Sequence, residues 1–97
     1  MSAFRSLAEV RSGIDDLDNQ IVELLARRQM LVEAAAGFKR DEHAVRAPDR
    51  VEQVVAAVRA KAGAAGLDAG VAEAVWRAMI GAFIELELAR HRTSAEG

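Results

Sequence analysis

One apolar repeat in the first 38 residues limits the folds that this chain can adopt. Apolar residues recur at alternating steps of three and four over more than four heptads, which is typical of a helix with one buried stripe. The members of this stripe, called the seam below, are Leu7, Val10, Ile14, Leu17, Ile21, Leu24, Arg28, Leu31, Ala35 and Phe38. A helix from Leu7 to Phe38 is ~46 Å long and cannot fold back on itself. Other helices or another chain must therefore cover the seam.

The rest of the chain also favours helices, because alanine, leucine, arginine and glutamate dominate it and strand-like alternation is absent. Pro48 predicts the start of a second helix and Gly66 its end. Asp68 predicts the cap of a third helix over residues 69–92. The charged stretch at 40–47 predicts a loop between the first two helices.

These elements predict an all-α fold, a three-helix chain with one long N-terminal helix that forms a single domain over residues 1–97. Ser6 and Glu9 have the spacing of a capping box and predict where the first helix begins. The predicted inward-facing residues of the other two helices are Val51, Val54, Val55, Val58, Val71, Val75, Trp76, Met79, Ile80, Phe83 and Leu86.

Composition argues against several classes of site. The absence of cysteine removes disulfides, thiolate ligands and thiol nucleophiles. A net charge of −2 argues against a nucleic-acid partner, and no run approaches the ~20 apolar residues of a membrane span. His43 and His91 are isolated and no phosphate-binding loop is present, so we predict no metal and no cofactor. We expect a cytoplasmic protein.

Arg28 interrupts the seam where the repeat requires an apolar residue. It either sets register and oligomeric state, extends its stem to solvent, or lines a cavity between helices. Lys39 follows eleven residues later, so on one helix the two cations leave the same face ~16 Å apart and could grip one small anion. Arg11 precedes Arg28 by seventeen residues, ~25 Å, and an antiparallel partner chain would be needed to bring it to that anion.

Two further charged residues break the helical pattern. Arg50 lies in the predicted first turn of the second helix, where backbone N–H groups favour an anion, unless it simply pairs with Asp49 or Glu52. Glu87 continues the inward-facing stripe after Phe83. A carboxylate there either forms a structural salt bridge with an arginine or stays protonated because burial disfavours its charge.

The segments "RSGIDDLDNQIVELLARR", "FK", "APDRV" and "FIELE" together resemble the all-helical chorismate mutases and the related isochorismate-pyruvate lyases. The resemblance covers roughly residues 5–90. It implies an intertwined homodimer with two equivalent active sites. It also implies an isomerase of the shikimate pathway that converts chorismate to prephenate by a pericyclic Claisen rearrangement, a step of aromatic amino acid biosynthesis.

The resemblance also implies a role for each cation. Arg28 and the Arg11 of the other subunit would hold the two carboxylates of the substrate. Lys39 would contact the ether oxygen and one carboxylate, and Arg50 would add positive charge beside the ring. Catalysis would then consist of holding the substrate in its reactive conformation and stabilising charge at the ether oxygen.

Three positions depart from the family pattern. Glu87 stands where many bacterial mutases and the lyases have glutamine, although fungal-type mutases have glutamate. An ionised Glu87 would repel the substrate, so we predict activity that falls as pH rises. Val51 stands where many mutases have glutamate and Phe83 where some have serine, and both changes lean toward the lyases. Chorismate, isochorismate and 4-amino-4-deoxychorismate therefore all stay open as substrates.

A third hypothesis is a non-catalytic dimeric helical module that binds or regulates another protein. The cationic set of Arg11, Arg28, Lys39 and Arg50 argues against it, since an interaction module has no need of four cations around one cavity. A mutase that depends on a partner enzyme is compatible with the same set.

Overall fold

The computed structural model describes residues 3–96, with side chains described for residues 3–92, and confirms an all-helical chain over that range. Its elements are α1 (Leu7–Ala36), α2 (Glu42–Arg46), α3 (Pro48–Ala65) and α4 (Ala69–Glu96). The chain divides into two compact units, the first ending at Leu31 and the second starting at Val32. Within the described residues, no helix combines the length and the apolar character that a membrane crossing would require.

The start of α1 agrees with the capping prediction. The backbone N–H of Glu9 donates to the Ser6 hydroxyl over 3.1 Å, while the Glu9 carboxylate accepts from the backbone N–H of Arg5 over 2.6 Å. The two side chains thus satisfy N–H groups that have no partner within the helix.

The end of α1 differs from the prediction. The backbone N–H groups of Gly37, Phe38 and Lys39 donate to carbonyl groups three residues earlier, so the last turn tightens and the α-helix stops at Ala36. Phe38 follows the helix and is 90% exposed. The prediction that Lys39 continues the helix three turns after Arg28 was therefore wrong.

The seam of α1 is open to solvent in the first unit. No side chain of α1 is buried. Ile14 and Ile21 are each 50% exposed, and Leu24 is 58% exposed. Arg28 is half-buried. The first unit by itself therefore leaves most of its apolar stripe exposed.

In the second unit, α3 has the bounds that Pro48 and Gly66 predicted. Gly66 adopts a φ of 80°, and this left-handed conformation lets its N–H donate to carbonyl groups of the last turn. Asp68 caps α4 as predicted, because its carboxylate accepts from the backbone N–H of Val71 over 3.0 Å. The turn between α3 and α4 is thus fixed by local hydrogen bonds.

The core between α3 and α4 is small. Val58 and Ala62 of α3 pack with Ala72 of α4, and Val54 and Trp76 lie against them. Small side chains at both 62 and 72 allow the two helices to approach closely.

The buried face of α4 was only partly predicted. Val71 and Val75 were expected to face inward, but each is 51% exposed. Ala72 and Leu88 are instead fully buried. The face that α4 buries is therefore rotated by about one residue from the predicted stripe at these positions.

Exposed ion pairs also join α3 to α4. The Arg77 guanidinium donates to both oxygens of Glu52 over 2.9 Å and to Glu73 over 2.7 Å, and Arg59 donates to Glu73 over 2.8 Å. These hydrogen bonds, with the positive charge of Arg77, lower the pKa of Glu52 and Glu73 from their usual value. The carboxylates in turn raise the pKa of Arg77.

The stretch predicted as a loop at 40–47 contains the short helix α2. Asp41 caps it by accepting from the backbone N–H of Ala44 over 2.9 Å, and Val45 is buried. The helix ends at Arg46, and the C-cap residue Ala47 has a φ of 38°, in the left-handed region that non-glycine residues rarely adopt. Asp41 followed by Glu42 is a helix-start signal. The prediction of a loop missed this signal because it relied on the charge of the segment.

Candidate active site

Lys39 and Glu87 form the central contact of the candidate site. The Lys39 Nζ donates to both Glu87 carboxylate oxygens, at 2.9 and 3.2 Å. The Glu87 side chain is 6% exposed and that of Lys39 is 24% exposed. Glu87 projects from α4, whereas Lys39 lies in the linker between α1 and α2. Of the two interpretations of Glu87, this geometry favours the salt bridge, with a lysine as partner where an arginine was expected.

A cavity of about 340 Å³ opens beside Glu87. The end of α1, α2 and α4 all contribute to its wall, and most of the wall is apolar. Its lining residues are Glu33, Ala36, Gly37, Val45, Leu86, Glu87, Arg90 and His91. Cavities of this size and character, with a few charged groups at fixed places, are typical of small-molecule sites.

A second ion pair lies on the wall of the same cavity. Arg90 of α4 pairs with Glu33 of α1, and both residues line the cavity. His91 is half-buried beside them. Sequence reasoning missed these residues, although Arg90 follows Glu87 by three positions and therefore shares its side of α4. The contact itself joins two helices that are far apart in sequence, and no local pattern reveals it.

The predicted arginines occupy three different places. Arg11 is exposed and Arg28 half-buried, both on α1 in the first unit. Seventeen residues of continuous helix separate them by ~25 Å, so one chain cannot place both on one small dianion. Arg50 is exposed in the first turn of α3, and the Glu52 carboxylate considered as its partner pairs with Arg77 instead.

Val51 of α3 and Phe83 of α4 are both half-buried. Phe83 precedes Glu87 by four residues and lies on the same side of α4. Of the predicted site residues in the second unit, the pair that the structure brings into contact is Lys39 and Glu87.

A helical chain with a lysine–glutamate pair, its carboxylate buried, beside a cavity of this size has the features of a small-molecule site in a helix bundle. The sequence profile of the family "Chorismate mutase type II" matches residues 10–88. An isochorismate pyruvate lyase of Pseudomonas aeruginosa is 39% identical over 74 residues, which are 76% of this chain and 73% of that protein. The chain belongs to the chorismate mutase type II family. These matches indicate an enzyme with a chorismate mutase-like function.

Proposed function

We propose that this protein catalyses the Claisen rearrangement of chorismate to prephenate, or of 4-amino-4-deoxychorismate to the corresponding amino product. In this reaction the bond between the ring and the ether oxygen breaks while a carbon–carbon bond forms within the same molecule. No nucleophile is required. The observation that carries the proposal is the Lys39–Glu87 pair beside a cavity of about 340 Å³ in a chain of this family.

In the proposed mechanism, Lys39 donates a hydrogen bond to the ether oxygen of the substrate. In the structure its ammonium group donates to both oxygens of the Glu87 carboxylate. The arriving substrate competes with Glu87 for this ammonium group. A donor placed at the oxygen where negative charge develops lowers the barrier because the charge is greatest in the transition state.

Arg28 and the Arg11 of a partner subunit bind the two substrate carboxylates in the proposed complex. Each guanidinium can donate two parallel hydrogen bonds to a carboxylate, which fixes direction as well as position. A substrate held at both ends keeps the compact conformation in which the two reacting carbons meet. Arg50 adds positive charge near the ring.

Glu87 acts in its protonated form in this proposal. A neutral carboxylic acid donates a second hydrogen bond to the ether oxygen, whereas a carboxylate only accepts and repels the dianionic substrate. In the structure the Glu87 carboxylate is the partner of Lys39. Because the neutral acid is the donor in this proposal, we expect turnover to be fastest at low pH.

A homodimer completes the proposed site. The open seam of α1 supports it, since Ile14 and Ile21 remain 50% exposed in the single chain. Two α1 helices packed antiparallel along their seams would bring Arg11 of one chain toward Arg28 of the other. Arg11 and Arg28 lie ~25 Å apart along one helix, so they can bind the same substrate only if one of them comes from the partner chain.

The second candidate function is an isochorismate-pyruvate lyase, which would form salicylate and pyruvate. The name of the Pseudomonas aeruginosa relative favours it. The same cations would bind isochorismate, whose carboxylates match those of chorismate. Val51 and Phe83 also lean toward the lyases, whereas Glu87 departs from the lyases and from many bacterial mutases alike and is shared with the fungal-type mutases.

The deciding experiment offers the purified protein chorismate, isochorismate and 4-amino-4-deoxychorismate separately, at about pH 5 and about pH 7.5, with products separated by chromatography. Lys39→Met serves as the matched control for background rearrangement. We expect prephenate or its amino analogue, formed faster at the lower pH. A higher kcat/KM for salicylate and pyruvate from isochorismate would make the protein a lyase. No turnover of any substrate would contradict both and favour a binding module or a mutase dependent on a partner enzyme.

A further inference from the structure

Three ion pairs connect α4 to the part of the chain that carries Lys39. Glu33 near the end of α1 pairs with Arg90, and Lys39 pairs with Glu87. Glu42 at the start of α2 lies 3.7 Å from Arg92. The α4 partners 87, 90 and 92 follow one another within two turns. Residues on both sides of the linker at 37–41, and Lys39 within it, therefore form ion pairs with the same helix, α4.

Lys39 depends on such contacts because it lies outside any helix. Glu87 lies on α4, whose backbone is held in place by regular helical hydrogen bonds. The linker at 37–41 instead has a tightened turn at its start and the Asp41 cap at its end. A lysine side chain loses much rotamer entropy when it is held in one place. A displacement of about 1 Å at a catalytic donor is enough to lower a rate by up to about a hundredfold.

The Arg90–Glu33 pair lies close to the α1 end of that linker. Glu33 is in the last turn of α1, three residues before Ala36, and both Glu33 and Ala36 line the cavity. The side chains of Arg90 and Glu33 are 54% and 34% exposed. Ion pairs this exposed contribute little to the free energy of unfolding. The effect of this pair on the position of Lys39 can thus be measured in variants that remain folded.

We propose that Arg90 is a positioning residue: by pairing with Glu33 it holds the end of α1 against α4 and so keeps Lys39 at Glu87 beside the cavity. The expected loss of activity when this pair is removed rests on the proposed function of Lys39. The expected displacement of the Lys39 side chain does not. Arg90 lies two residues beyond the range that the family profile matches, 10–88.

The kinetic test compares Arg90→Gln with two variants that keep an ion pair. Arg90→Lys retains the cation, and the exchange Glu33→Arg/Arg90→Glu restores the pair with reversed charges. We expect Arg90→Gln to lower kcat/KM about 10-fold, mainly through kcat, since Lys39 acts in the transition state. The two restoring variants should stay within about threefold of the wild type. Arg59→Gln, which removes an arginine from another exposed pair on α3, is the matched control and should match the wild type.

A second measurement reports on Lys39 without any substrate. The chain has two lysines, Lys39 and the exposed Lys61 of α3, so one serves as internal standard for the other. Acetylation by an amine-reactive ester, followed by mass spectrometry of the peptides, gives the ratio of their rates. Arg90→Gln should raise the acetylation rate of Lys39 relative to Lys61 by about threefold or more, because a side-chain nitrogen held against the Glu87 carboxylate is less accessible to the reagent. Arg90→Lys and Arg59→Gln should leave the ratio unchanged.

Loss of kcat with faster acetylation of Lys39 in Arg90→Gln, both reversed by the charge exchange, would support the proposal. An unchanged acetylation ratio in Arg90→Gln would overturn it, whatever happens to the rate. Faster acetylation with wild-type kcat/KM would overturn the link to catalysis. If the wild type converts none of the three substrates, the proposed function fails, and the acetylation ratio alone then decides whether Arg90 positions Lys39.

Discussion

Glu87 is buried with a lysine on both of its oxygens, an arrangement that contributes little net stability compared with apolar residues of the same size. Desolvation of the carboxylate offsets most of the attraction between the two charges. Glutamine in its place would keep the volume and one hydrogen-bond acceptor without the charge. The folding of α4 therefore does not explain the choice of glutamate, which is consistent with the role in the reaction that we propose for it.

We predict that Glu87→Gln removes the pH dependence of turnover. The wild type should lose activity as pH rises from about 5 to about 8, because ionised Glu87 holds Lys39 and repels the dianion. The amide donates a hydrogen bond at every pH in this range, so the kcat/KM of the variant should vary by less than about twofold. Rates measured in one constant-ionic-strength buffer series test this. A flat wild-type profile would remove Glu87 from the mechanism.

Single residues of the site were predictable only where helix geometry determines their place. The inward stripe of α4 predicted the burial of Glu87, because a helix repeats its faces every 3.6 residues. Lys39 was expected on α1, but the turn at Gly37 ended that helix first. The Arg90–Glu33 pair required knowledge of which helices meet, and a charge on a helix surface does not reveal its partner.

At the scale of elements, the turn between α3 and α4 offers a matched pair of glycines. Gly66 has a φ of 80°, so Gly66→Ala should destabilise the fold by about 1 kcal/mol. Gly63 lies within α3, and an added Cβ there would meet no atom within 4 Å. Gly63→Ala should therefore stabilise the fold by about 0.5 kcal/mol. Urea denaturation at one protein concentration compares them, and equal signs for the two substitutions would contradict the assigned turn.

The ion pairs around Arg77 predict an acid-dependent link between α3 and α4. The pKa values of Glu52 and Glu73 are lowered from 4.5 in the folded state, so the pairs stabilise the fold above that value and lose their effect as pH falls below it. Arg77→Gln should therefore lower the Tm at about pH 7 more than at about pH 3. Arg40→Gln removes one exposed charge elsewhere and controls for net charge. A Tm difference that does not shrink in acid would contradict the prediction.

Helix boundaries were predictable to the extent that single residues determine them. Pro48, Gly66 and Asp68 each act through their own backbone or side chain, and the bounds of α3 and the start of α4 followed from them. The short helix α2 was missed because five residues are too few to show a period. The buried face of α4 was shifted because Ala72, a small residue, fits where two helices approach most closely.

At the scale of the whole molecule, the open seam of α1 predicts self-association. A small chain that leaves Ile14 and Ile21 half exposed gains stability when a second copy covers them. We expect a solution mass about twice the 10.4 kDa of one chain. Ile21→Glu should shift the protein toward monomer. Met30 is 70% exposed on the opposite side of α1, and Met30→Glu should leave the dimer intact. Light scattering distinguishes the cases, and a monomeric wild type would contradict the prediction.

The assignment of Arg11 to the partner's site makes a stricter prediction about mixed dimers. Arg11→Ala and Arg28→Ala should each abolish turnover as homodimers. When the two variants are co-expressed with different tags and the heterodimer is isolated through both, one site contains an intact Arg28 from one chain and an intact Arg11 from the other. The second site lacks both. The heterodimer should therefore regain about half of the wild-type activity, since one of its two sites is complete.

The reciprocal heterodimer controls for subunit exchange and for effects on folding. A wild-type chain paired with an Arg11→Ala/Arg28→Ala chain leaves each site with one arginine missing if Arg11 crosses between subunits, and this dimer should be inactive. If both arginines instead served the chain that carries them, the outcomes would be reversed. The first heterodimer would then be inactive and the second would retain about half of the activity. Each of the two possible placements of Arg11 predicts one active and one inactive heterodimer. General inactivation by the substitutions would inactivate both heterodimers, so it can be distinguished from the predicted result.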